Sequence, residues 1–178
     1  MNRPLKIAIT GPESTGKSML AEQLASHYRT VWVPEYARTY INRLNRPYNQ
    51  EDILEIAKGQ IRSEYEITTG GNKIMFYDTE LIVTKIWSEV KYGNCNPWIL
   101  SMIERNNYDL YLLCNIDLPW TEDPQREHPH LREYLFDLYL EEMKRRRFNY
   151  SIVSGTGKNR LGNALKIIEE NFPGLKQN

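Results

Sequence analysis

The sequence contains few cysteines and no excess of charge of either sign. Its two cysteines, Cys95 and Cys114, form neither a CxxC motif nor a metal-binding spacing in a chain of 178 residues. We therefore expect two reduced thiols, as is usual in the cytoplasm. The 23 basic residues balance 23 acidic ones. This balance argues against nucleic acid or an anionic membrane as the main partner, because both attract proteins with a basic excess.

Long apolar runs, internal repeats and low-complexity linkers are also missing. The first apolar stretch, Leu5 to Thr10, is too short and too interrupted for a signal peptide or a membrane span. The length of the chain is typical of one domain. We therefore expect a single cytoplasmic domain over residues 1–178. No pattern in the sequence indicates an oligomeric state.

Short apolar runs of strand length alternate with longer amphipathic runs of helical period. The runs typical of strands are 5–10, 30–33, 73–77, 109–114 and 150–153. The runs typical of helices are 17–28, 51–66, 131–147 and 163–172. Strands that alternate with helices form a mostly parallel sheet with helices on both faces. The sequence therefore predicts an α/β fold in three layers.

One segment, residues 117–131, has no regular pattern. It is polar and is interrupted by Pro119, Pro124 and Pro129. A proline-rich loop of this length inside a compact domain is usually functional or mobile. We predict that the segment is a lid over the functional site.

Residues 11–18 carry the motif from which the chemistry can be predicted. The segment GPESTGKS fits the pattern GxxxxGK[ST] and lies between the first predicted strand and an amphipathic helix. In such loops backbone N–H groups surround a polyphosphate, the lysine contacts the β- and γ-phosphates, and the next hydroxyl ligates magnesium. ATP and Mg²⁺ are therefore the expected cofactors. The residues predicted to bind the nucleotide here are Gly11, Glu13, Ser14, Thr15, Gly16, Lys17, Ser18 and Met19.

Asp78 is the predicted carboxylate partner of this loop. A magnesium-directing carboxylate is expected at the end of another core strand, and Asp78 ends the run 73–77. Together with Ser18 it forms the predicted metal site. The alternative is that Asp78 or Thr79 caps the helix that starts at Glu80, since both residue types favour the N-cap. The two roles do not exclude each other.

Several classes of protein carry such a loop, and the rest of the chain favours a kinase. No NKxD pattern for guanine is present, which disfavours a GTPase, and a motor ATPase ordinarily needs a longer chain. In a small-molecule kinase, a mobile lid excludes water during phosphoryl transfer. Arg126 lies in the predicted lid and is the catalytic candidate for neutralising the transferred group. A solvated position on the loop is the alternative for this side chain.

The second predicted strand leads into Glu35, Tyr36 and Arg38, which we expect beside the acceptor substrate. The carboxyl ends of strands line the ligand crevice in open α/β sheets. Glu35 is a candidate for taking the proton of a substrate hydroxyl, and Asp78 competes for this role. The alternative is a surface Glu–Arg pair at a helix start, worth under about 1 kcal/mol.

With these residues, the sequence resembles the ribosylnicotinamide kinase domain of the NadR-type proteins, a branch of the P-loop kinases. The resemblance extends over nearly the whole chain. It rests on GPESTGKS at 11–18, EYAR at 35–38, Gly59-Gln60, YDTELIVTKIW at 77–87 and YDLYLLCNIDLPWTEDPQR at 108–126. The EYAR, DT and lid segments in this order are far more specific than the phosphate-loop motif.

The resemblance implies ATP-dependent phosphorylation of the 5′-hydroxyl of nicotinamide riboside to nicotinamide mononucleotide, in NAD biosynthesis. It also implies the strand order 2-3-1-4-5 and a turn containing Thr156 beside the adenine of ATP. Candidates for stacking on the nicotinamide ring are Tyr36, Trp87, Trp98 and Trp120. The alternatives are a kinase of another nucleoside or nucleotide and a non-catalytic ATP-binding regulatory protein.

The sequence departs from the NadR pattern at one point. These proteins commonly carry an adenylyltransferase domain with an HxGH signature, and some add a repressor domain. The histidines of this chain are His27, His128 and His130, and none lies in such a signature. We therefore expect neither adenylyl transfer nor DNA-binding repression.

Overall fold

The computed structural model describes residues 3–67, 72–106 and 108–175. Over these residues, five strands form one sheet that helices cover on both faces. The strands are β1 (Leu5–Thr10), β2 (Trp32–Val33), β3 (Ile74–Asp78), β4 (Leu110–Cys114) and β5 (Tyr150–Val153). The helices are α1 (Lys17–Tyr28), α2 (Tyr36–Asn42), α3 (Gln50–Ile67), α4 (Leu81–Tyr92), α5 (Pro97–Arg105), α6 (Arg132–Arg145) and α7 (Gly157–Asn171).

The strands run parallel in the order β2-β3-β1-β4-β5. Their register places Ile9 beside Asp78 and Thr10 beside Leu113. The carboxyl ends of the three central strands therefore meet at one edge of the sheet. The predicted α/β class is confirmed, and so is the strand order that the resemblance implies.

Two apolar clusters, one on each face of the sheet, form the core. Neighbouring residues of a strand point to opposite faces, so Tyr77 belongs to one cluster and Phe76 to the other. Helices α3 to α6 cover the Tyr77 face, while α1 and α7 cover the Phe76 face. Because β3 is buried along its whole length, its sequence is a continuous apolar run up to Asp78.

Three helices, α2, α4 and α5, lie outside the predicted runs, and of these the sequence indicated only the start of α4, near Glu80. Helix α2 has seven residues and no buried side chain, so it carries no apolar stripe that periodicity could reveal. Helix α5 begins after Asn96, whose side chain accepts a hydrogen bond from the Trp98 N–H at 2.9 Å. Pro97 follows at the first helical position, which Pro favours. This Asn-Pro start is the local signal by which α5 could have been found.

Residues 115–131 connect β4 to α6 through turns, with neither helix nor strand. The three prolines of 117–131 predict this irregular course, since each lacks the backbone N–H that a regular element would use. We call residues 117–131 the lid segment. Its function as a lid stays a prediction.

In the part of the chain that the structure describes, no helix combines the length and the apolar composition needed to cross a membrane. Both cysteines are unpaired thiols; Cys114 is buried and Cys95 is half-buried. Burial raises the pKa of both thiols, which keeps them protonated and unreactive near neutral pH.

Candidate active site

The phosphate-loop motif forms the connection between β1 and α1. Gly11, Ser14 and Gly16 have positive φ angles of 131°, 56° and 75°. At Gly11, a Cβ atom would also lie 3.0 Å from the carbonyl oxygen of Cys114, so the loop passes too close to β4 for a side chain there. In loops of this shape, successive N–H groups and the following helix N-terminus attract an anion. The backbone therefore has the conformation of a phosphate cradle.

The side chain of Lys17 folds back along this loop. Its Nζ donates hydrogen bonds to the carbonyl oxygens of Gly11 at 2.9 Å and Pro12 at 2.8 Å. The Thr15 hydroxyl also donates to Pro12, at 2.8 Å. These carbonyls are neutral acceptors. A phosphate oxygen would be a stronger, charged partner for the same ammonium group.

Asp78, Ser18 and Glu35 meet beside the loop. The Ser18 hydroxyl and the backbone N–H of Glu35 both donate hydrogen bonds to the Asp78 carboxylate. Asp78 is 2% exposed, and its Oδ1 has no hydrogen-bond partner among the described residues. The ends of β3 and β2 and the start of α1 thus bring together the residues predicted for metal binding and proton transfer.

The environment of Asp78 disfavours its charged form. Burial raises the pKa of Asp78 from 3.8 to about 6, and repulsion from Glu35 adds to this shift. The Ser18 hydrogen bond and the Lys17 charge act in the opposite direction. A cation beside Asp78 would therefore favour the carboxylate.

The alternative role of Asp78 or Thr79 as the cap of α4 is wrong, because Glu80 occupies that position. Its carboxylate accepts hydrogen bonds from the Ile82 N–H at 2.7 Å and the Thr10 hydroxyl at 2.9 Å. Burial raises the pKa of Glu80 to about 7. Through Thr10, this cap also joins α4 to the end of β1, directly before the phosphate loop.

The oxygen atoms around Asp78 fit a magnesium ion. Mg²⁺ is usually held by one or two carboxylates together with the phosphates of a nucleotide. Ser18 Oγ and the unpartnered Oδ1 of Asp78 are oxygen ligands of this kind. Within the described residues, no group of three or more His, Cys, Asp or Glu side chains is placed to hold a metal alone. The phosphates would therefore have to complete the coordination.

Gln60 of α3 connects the two sides of this arrangement. It is 2% exposed, its Oε1 accepts the Tyr36 N–H at 2.9 Å, and its Nε2 donates to the Thr79 carbonyl at 3.4 Å. A Cβ atom at Gly59 would lie 2.0 Å from the Tyr36 ring, so that ring lies directly against the helix. Helix α3 therefore holds the segment after Glu35 against the segment after Asp78.

A cavity of about 480 Å³ opens beside these groups. The phosphate loop lines it with residues 11–19. The other elements contribute Glu35, Ala37, Arg38 and Ile41 near α2, Val83, Ile86, Trp87 and Val90 of α4, Asp123 and 125–128 of the lid segment, and Leu135 and Tyr139 of α6. The cavity is therefore polar along the phosphate loop and the lid segment, and apolar along α4 and α6.

The lid segment lies against the phosphate loop. The Glu13 carboxylate accepts the backbone N–H groups of Glu127 and His128, each at 3.1 Å. Arg126 lines the cavity, with its guanidinium 3.5 Å from the Ser14 hydroxyl oxygen. The predicted lid arginine is thus placed at the loop where phosphate charge is expected.

Two further arginines connect the lid segment to its surroundings. Arg38 forms an ion pair with Asp123 at 3.0 Å. Arg132, at the start of α6, donates to the carbonyl oxygens of Leu118 at 2.9 Å and Ser14 at 3.2 Å. These contacts hold the lid segment between α2, α6 and the phosphate loop.

Three predicted site residues are absent from the cavity lining that the described residues form: Asp78, Tyr36 and Thr156. Asp78 is buried and reaches the site through its hydrogen bond with Ser18. The Tyr36 ring lies against Gly59 instead. Thr156 is exposed at the N-cap of α7. Their predicted roles stay predictions.

Of the four aromatic candidates, Trp87 lines the cavity. Trp98 packs against the core, and the Trp120 Nε1 donates to Glu122 at 3.1 Å. Sequence reasoning could not choose among the four, because helical periodicity alone does not show which face of α4 meets the phosphate loop.

Arg160 was not predicted, although it supports several parts of the site. It is 4% exposed in α7. Its acceptors are the carbonyl oxygens of Thr15, Asn115 and Gly155 and the Asp117 carboxylate, at 2.7–3.0 Å. The surrounding sequence GKNRLGN is polar and gives no sign of this burial.

Comparison with known proteins shows to which family the chain belongs. Residues 6–160 match the family described as AAA domain, and this range includes the phosphate loop, Asp78 and the lid segment. The chain belongs to the AAA-domain family. The match supports the nucleotide site, whereas the expectation that the chain is not a motor ATPase stays a prediction.

The curated relatives of this AAA-domain chain are longer proteins. The "Trifunctional NAD biosynthesis/regulator protein NadR" of Escherichia coli strain K12 is 29% identical over 67% of this chain. The protein of the same name from Salmonella typhimurium shows the same identity over the same share. The chain spans 30% of the length of each relative.

Solved structures share the fold. A NadR protein in complex with NR superposes with a TM-score of 0.83 at 22% identity, covering 99% of this chain and 52% of that chain. A deoxyadenosine kinase from M. mycoides has a TM-score of 0.68 at 14% identity, covering 93% of this chain and 100% of that chain. The resemblance to NadR-type proteins is confirmed at the level of sequence similarity, and the solved structures confirm the fold.

Proposed function

We propose that this chain is a magnesium-dependent ATP kinase that phosphorylates the 5′-hydroxyl of nicotinamide riboside to nicotinamide mononucleotide. The observation that carries the proposal is one cavity that faces the phosphate loop, Glu35 and the apolar wall of α4 together. Phosphoryl transfer requires the donor and the acceptor hydroxyl side by side in a site that excludes water. The resemblance to NadR-type proteins supports the choice of acceptor.

The donor side consists of the phosphate loop and its neighbours. Lys17 binds the β- and γ-phosphates, with the N–H groups of the loop and of α1. Ser18 and Asp78 hold magnesium, which when bound neutralises charge on the transferring phosphoryl group. Arg126 lies at the same loop and stabilises that charge from the lid segment.

The adenine of ATP is assigned to the turn that contains Thr156. Arg160 donates to both the Gly155 carbonyl and the Thr15 carbonyl, at 2.8 Å each. These contacts hold the turn beside the phosphate loop. This neighbourhood supports the role that the resemblance implies for Thr156.

Glu35 is proposed to accept the proton of the acceptor hydroxyl. Glu35 lines the cavity, whereas Asp78 is buried and accepts hydrogen bonds from the Ser18 hydroxyl and the Glu35 N–H. A general base has to reach the hydroxyl it deprotonates. This difference in position favours Glu35 as the base and Asp78 as the metal ligand.

The apolar wall supports a flat aromatic acceptor that carries no phosphate group. Trp87 and Tyr139 line the cavity with the aliphatic residues of α4, and aromatic rings pack well against a heteroaromatic base. A monophosphate acceptor would bring further negative charge beside Glu35. Arg38, the cation of the neighbouring helix, is already paired with Asp123. The site therefore favours a nucleoside over a nucleoside monophosphate.

A substrate panel tests the proposal. Purified protein is assayed for ADP release with Mg–ATP and nicotinamide riboside, other nucleosides or nucleoside monophosphates. We expect nicotinamide riboside to have the highest kcat/KM and to yield nicotinamide mononucleotide. Turnover of another acceptor alone would reject nicotinamide riboside. Tight ATP binding without turnover of any acceptor would favour the regulatory alternative.

The variant Lys17→Ala tests the donor side. Loss of one group that stabilises transition-state charge lowers kcat by roughly 100- to 1,000-fold. The melting temperature should stay close to that of the unmodified protein, because the hydrogen bonds of the Lys17 ammonium within the described residues go to the loop carbonyls of Gly11 and Pro12. Lys166→Ala is the matched control, since Lys166 is 75% exposed on α7 and should leave kcat unchanged. A near-normal rate for Lys17→Ala would contradict the phosphate-cradle assignment.

A further inference from the structure

The hydroxyl group of Tyr48 lies between the lid segment and the cavity wall. Tyr48 belongs to the connection between α2 and α3. Its hydroxyl donates to Glu127 of the lid segment at 2.7 Å and accepts the Trp87 Nε1–H at 2.8 Å. The Lys91 ammonium also donates to this oxygen and lies 3.7 Å above the ring. Glu127 and Trp87 both line the cavity, so Tyr48 reaches it through two of its partners.

These three partners use the full capacity of the hydroxyl. A tyrosine hydroxyl has one donor and two acceptor positions. Burial and the nearby Glu127 carboxylate raise the pKa of Tyr48 well above its usual value, so the group keeps its proton. The donor is therefore committed to Glu127, and the two acceptor positions remain for Trp87 and Lys91. Hydrogen bonds that are linked through one hydroxyl group in this way strengthen one another.

Glu127 also connects this hydrogen-bond network to the phosphate loop. Its backbone N–H donates to the Glu13 carboxylate at 3.1 Å, while its side chain engages Tyr48 and, at 3.0 Å, Lys91. Movement of the lid segment away from the phosphate loop would remove Glu127 from both contacts. The Tyr48 hydroxyl would then turn to another acceptor, and its hold on the Trp87 ring would weaken.

The contact between the Tyr48 and Trp87 rings also supports a role for Tyr48 in orienting Trp87. The rings of Tyr48 and Trp87 meet edge to face, with centroids 4.8 Å apart and an angle of 66°. Tyr48 therefore sets both the position and the tilt of the Trp87 ring, through its ring and its hydroxyl.

We propose that Tyr48 is a positioning residue that couples the docked lid segment to the orientation of Trp87. The acceptor pocket then takes its final shape only when the lid segment lies on the phosphate loop. Nucleotide binding to that loop favours the docked lid, so it increases affinity for the acceptor, and the acceptor increases affinity for nucleotide by the same factor. The identity of the acceptor rests on the proposed function, whereas the coupling to Trp87 does not.

Fluorine NMR measures the coupling without any acceptor. The protein is labelled with 5-fluorotryptophan, and Trp87→Phe identifies one of the four tryptophan resonances. We expect the nucleotide analogue AMP-PNP with Mg²⁺ to shift the Trp87 resonance in the unmodified protein. Tyr48→Phe should abolish this shift while AMP-PNP still binds. Glu127→Ala removes the carboxylate of the lid segment to which Tyr48 donates, and it should also abolish the shift.

Tyr40→Phe is the matched control. The Tyr40 hydroxyl also donates to a carboxylate, Asp52, at 2.9 Å, and its ring packs against Tyr36, so none of the described hydrogen bonds or ring contacts of Tyr40 reaches the lid segment or Trp87. The Trp87 response should persist in this variant. An unchanged Trp87 shift in Tyr48→Phe would overturn the proposal, and so would the absence of a shift in the unmodified protein.

The acceptor enters in a second measurement. The dissociation constant of nicotinamide riboside is determined by calorimetry with and without AMP-PNP. The analogue should tighten binding in the unmodified protein and in Tyr40→Phe, and this enhancement should fall at least threefold in Tyr48→Phe. An enhancement that Tyr48→Phe leaves intact would overturn the proposal. If nicotinamide riboside does not bind while the Trp87 response still depends on Tyr48, the coupling stands and the proposed acceptor is wrong.

Discussion

At the scale of single residues, two buried carboxyl groups next to the phosphate loop have raised pKa values. Burial and Glu35 raise the pKa of Asp78 to about 6, and burial raises that of Glu80 to about 7. Such raised pKa values cluster at functional sites, although structural carboxyl groups show them too. Here the two cases lie side by side. The Glu80 carboxylate has hydrogen-bond donors on both oxygens, whereas Oδ1 of Asp78 has none among the described residues.

The raised pKa of Asp78 predicts a loss of stability with rising pH. The unfolded chain releases this proton near pH 4 and the folded chain near pH 6, so the folded state binds more protons between these values. The free energy of unfolding should therefore fall as pH rises from about 4 to about 6. Urea unfolding at fixed pH steps measures it. Asp78→Asn should lose this part of the decline.

Two variants serve as controls for this assignment. Glu35→Gln removes the repulsion that adds to the Asp78 shift, so the decline should end at a lower pH. Glu80→Gln should leave the Asp78 part of the decline and remove the part that extends toward pH 7. An Asp78→Asn protein with the same pH dependence as the unmodified chain would refute the raised pKa.

At the scale of elements, the sequence predicted best those helices and strands whose signals lie within a short stretch of residues. Helix α1 and strands β1 and β5 have the predicted bounds. The signals for them, which are the spacing of apolar residues and, for β1 and α1, the phosphate-loop motif, each extend over a short stretch of neighbouring residues. Helix α2 is too short and too exposed to carry such a pattern. Gln60 and Gly59 were visible only as part of the resemblance. Their function in the fold depends on Tyr36, which is distant along the chain.

Gly59 provides a test of how α3 supports α2. A Cβ atom there would lie 2.0 Å from the Tyr36 ring, so Gly59→Ala must displace the ring and the start of α2. Overpacking of this kind costs roughly 1–3 kcal/mol. Because Glu35 immediately precedes α2, we expect kcat with the best acceptor to fall at least tenfold. Urea unfolding and steady-state kinetics measure the two effects.

Gly162 is the matched control, as it is also a helical glycine. A Cβ atom at Gly162, in α7, would meet nothing within 4 Å. Gly162→Ala should therefore stabilise the protein by about 0.5–1 kcal/mol through helix propensity, with kcat unchanged. Equal behaviour of the two variants would mean that the Tyr36 ring is not held against α3 in solution.

At the scale of the whole molecule, the candidate site is assembled from nearly every layer of the fold. The phosphate loop, Asp78 and Glu35 could be predicted because the ends of parallel strands converge at one edge. The cavity wall and the supports could not, since they depend on which helix faces meet after folding. Trp87 and Arg160 show this best: both lie in ordinary helical sequence, and contacts with distant segments determine where they point.

Arg160 gives the last prediction, because it joins the carboxyl edge of the sheet into one unit. Its guanidinium bonds to carbonyls beyond β4 and β5 and within the phosphate loop, and to Asp117 at 2.7 Å. Arg160→Met keeps the length of the side chain but leaves these acceptors without their donor. Arg160 is buried while Asp117 is 29% exposed, so the loss of this pair together with the three carbonyl hydrogen bonds should cost about 3 kcal/mol. For a chain of this size that is roughly 6–12 °C in melting temperature.

Arg145→Met separates this effect from the loss of an arginine as such. Arg145 pairs with Glu142 at 2.8 Å, but its side chain is 61% exposed, so its loss should cost under about 1 kcal/mol. AMP-PNP should raise the melting temperature of Arg145→Met as it does that of the unmodified protein. It should raise that of Arg160→Met less, because the Thr15 carbonyl in the phosphate loop has lost its support. Equal melting temperatures and equal nucleotide responses in the two variants would show that the loop keeps its shape without Arg160.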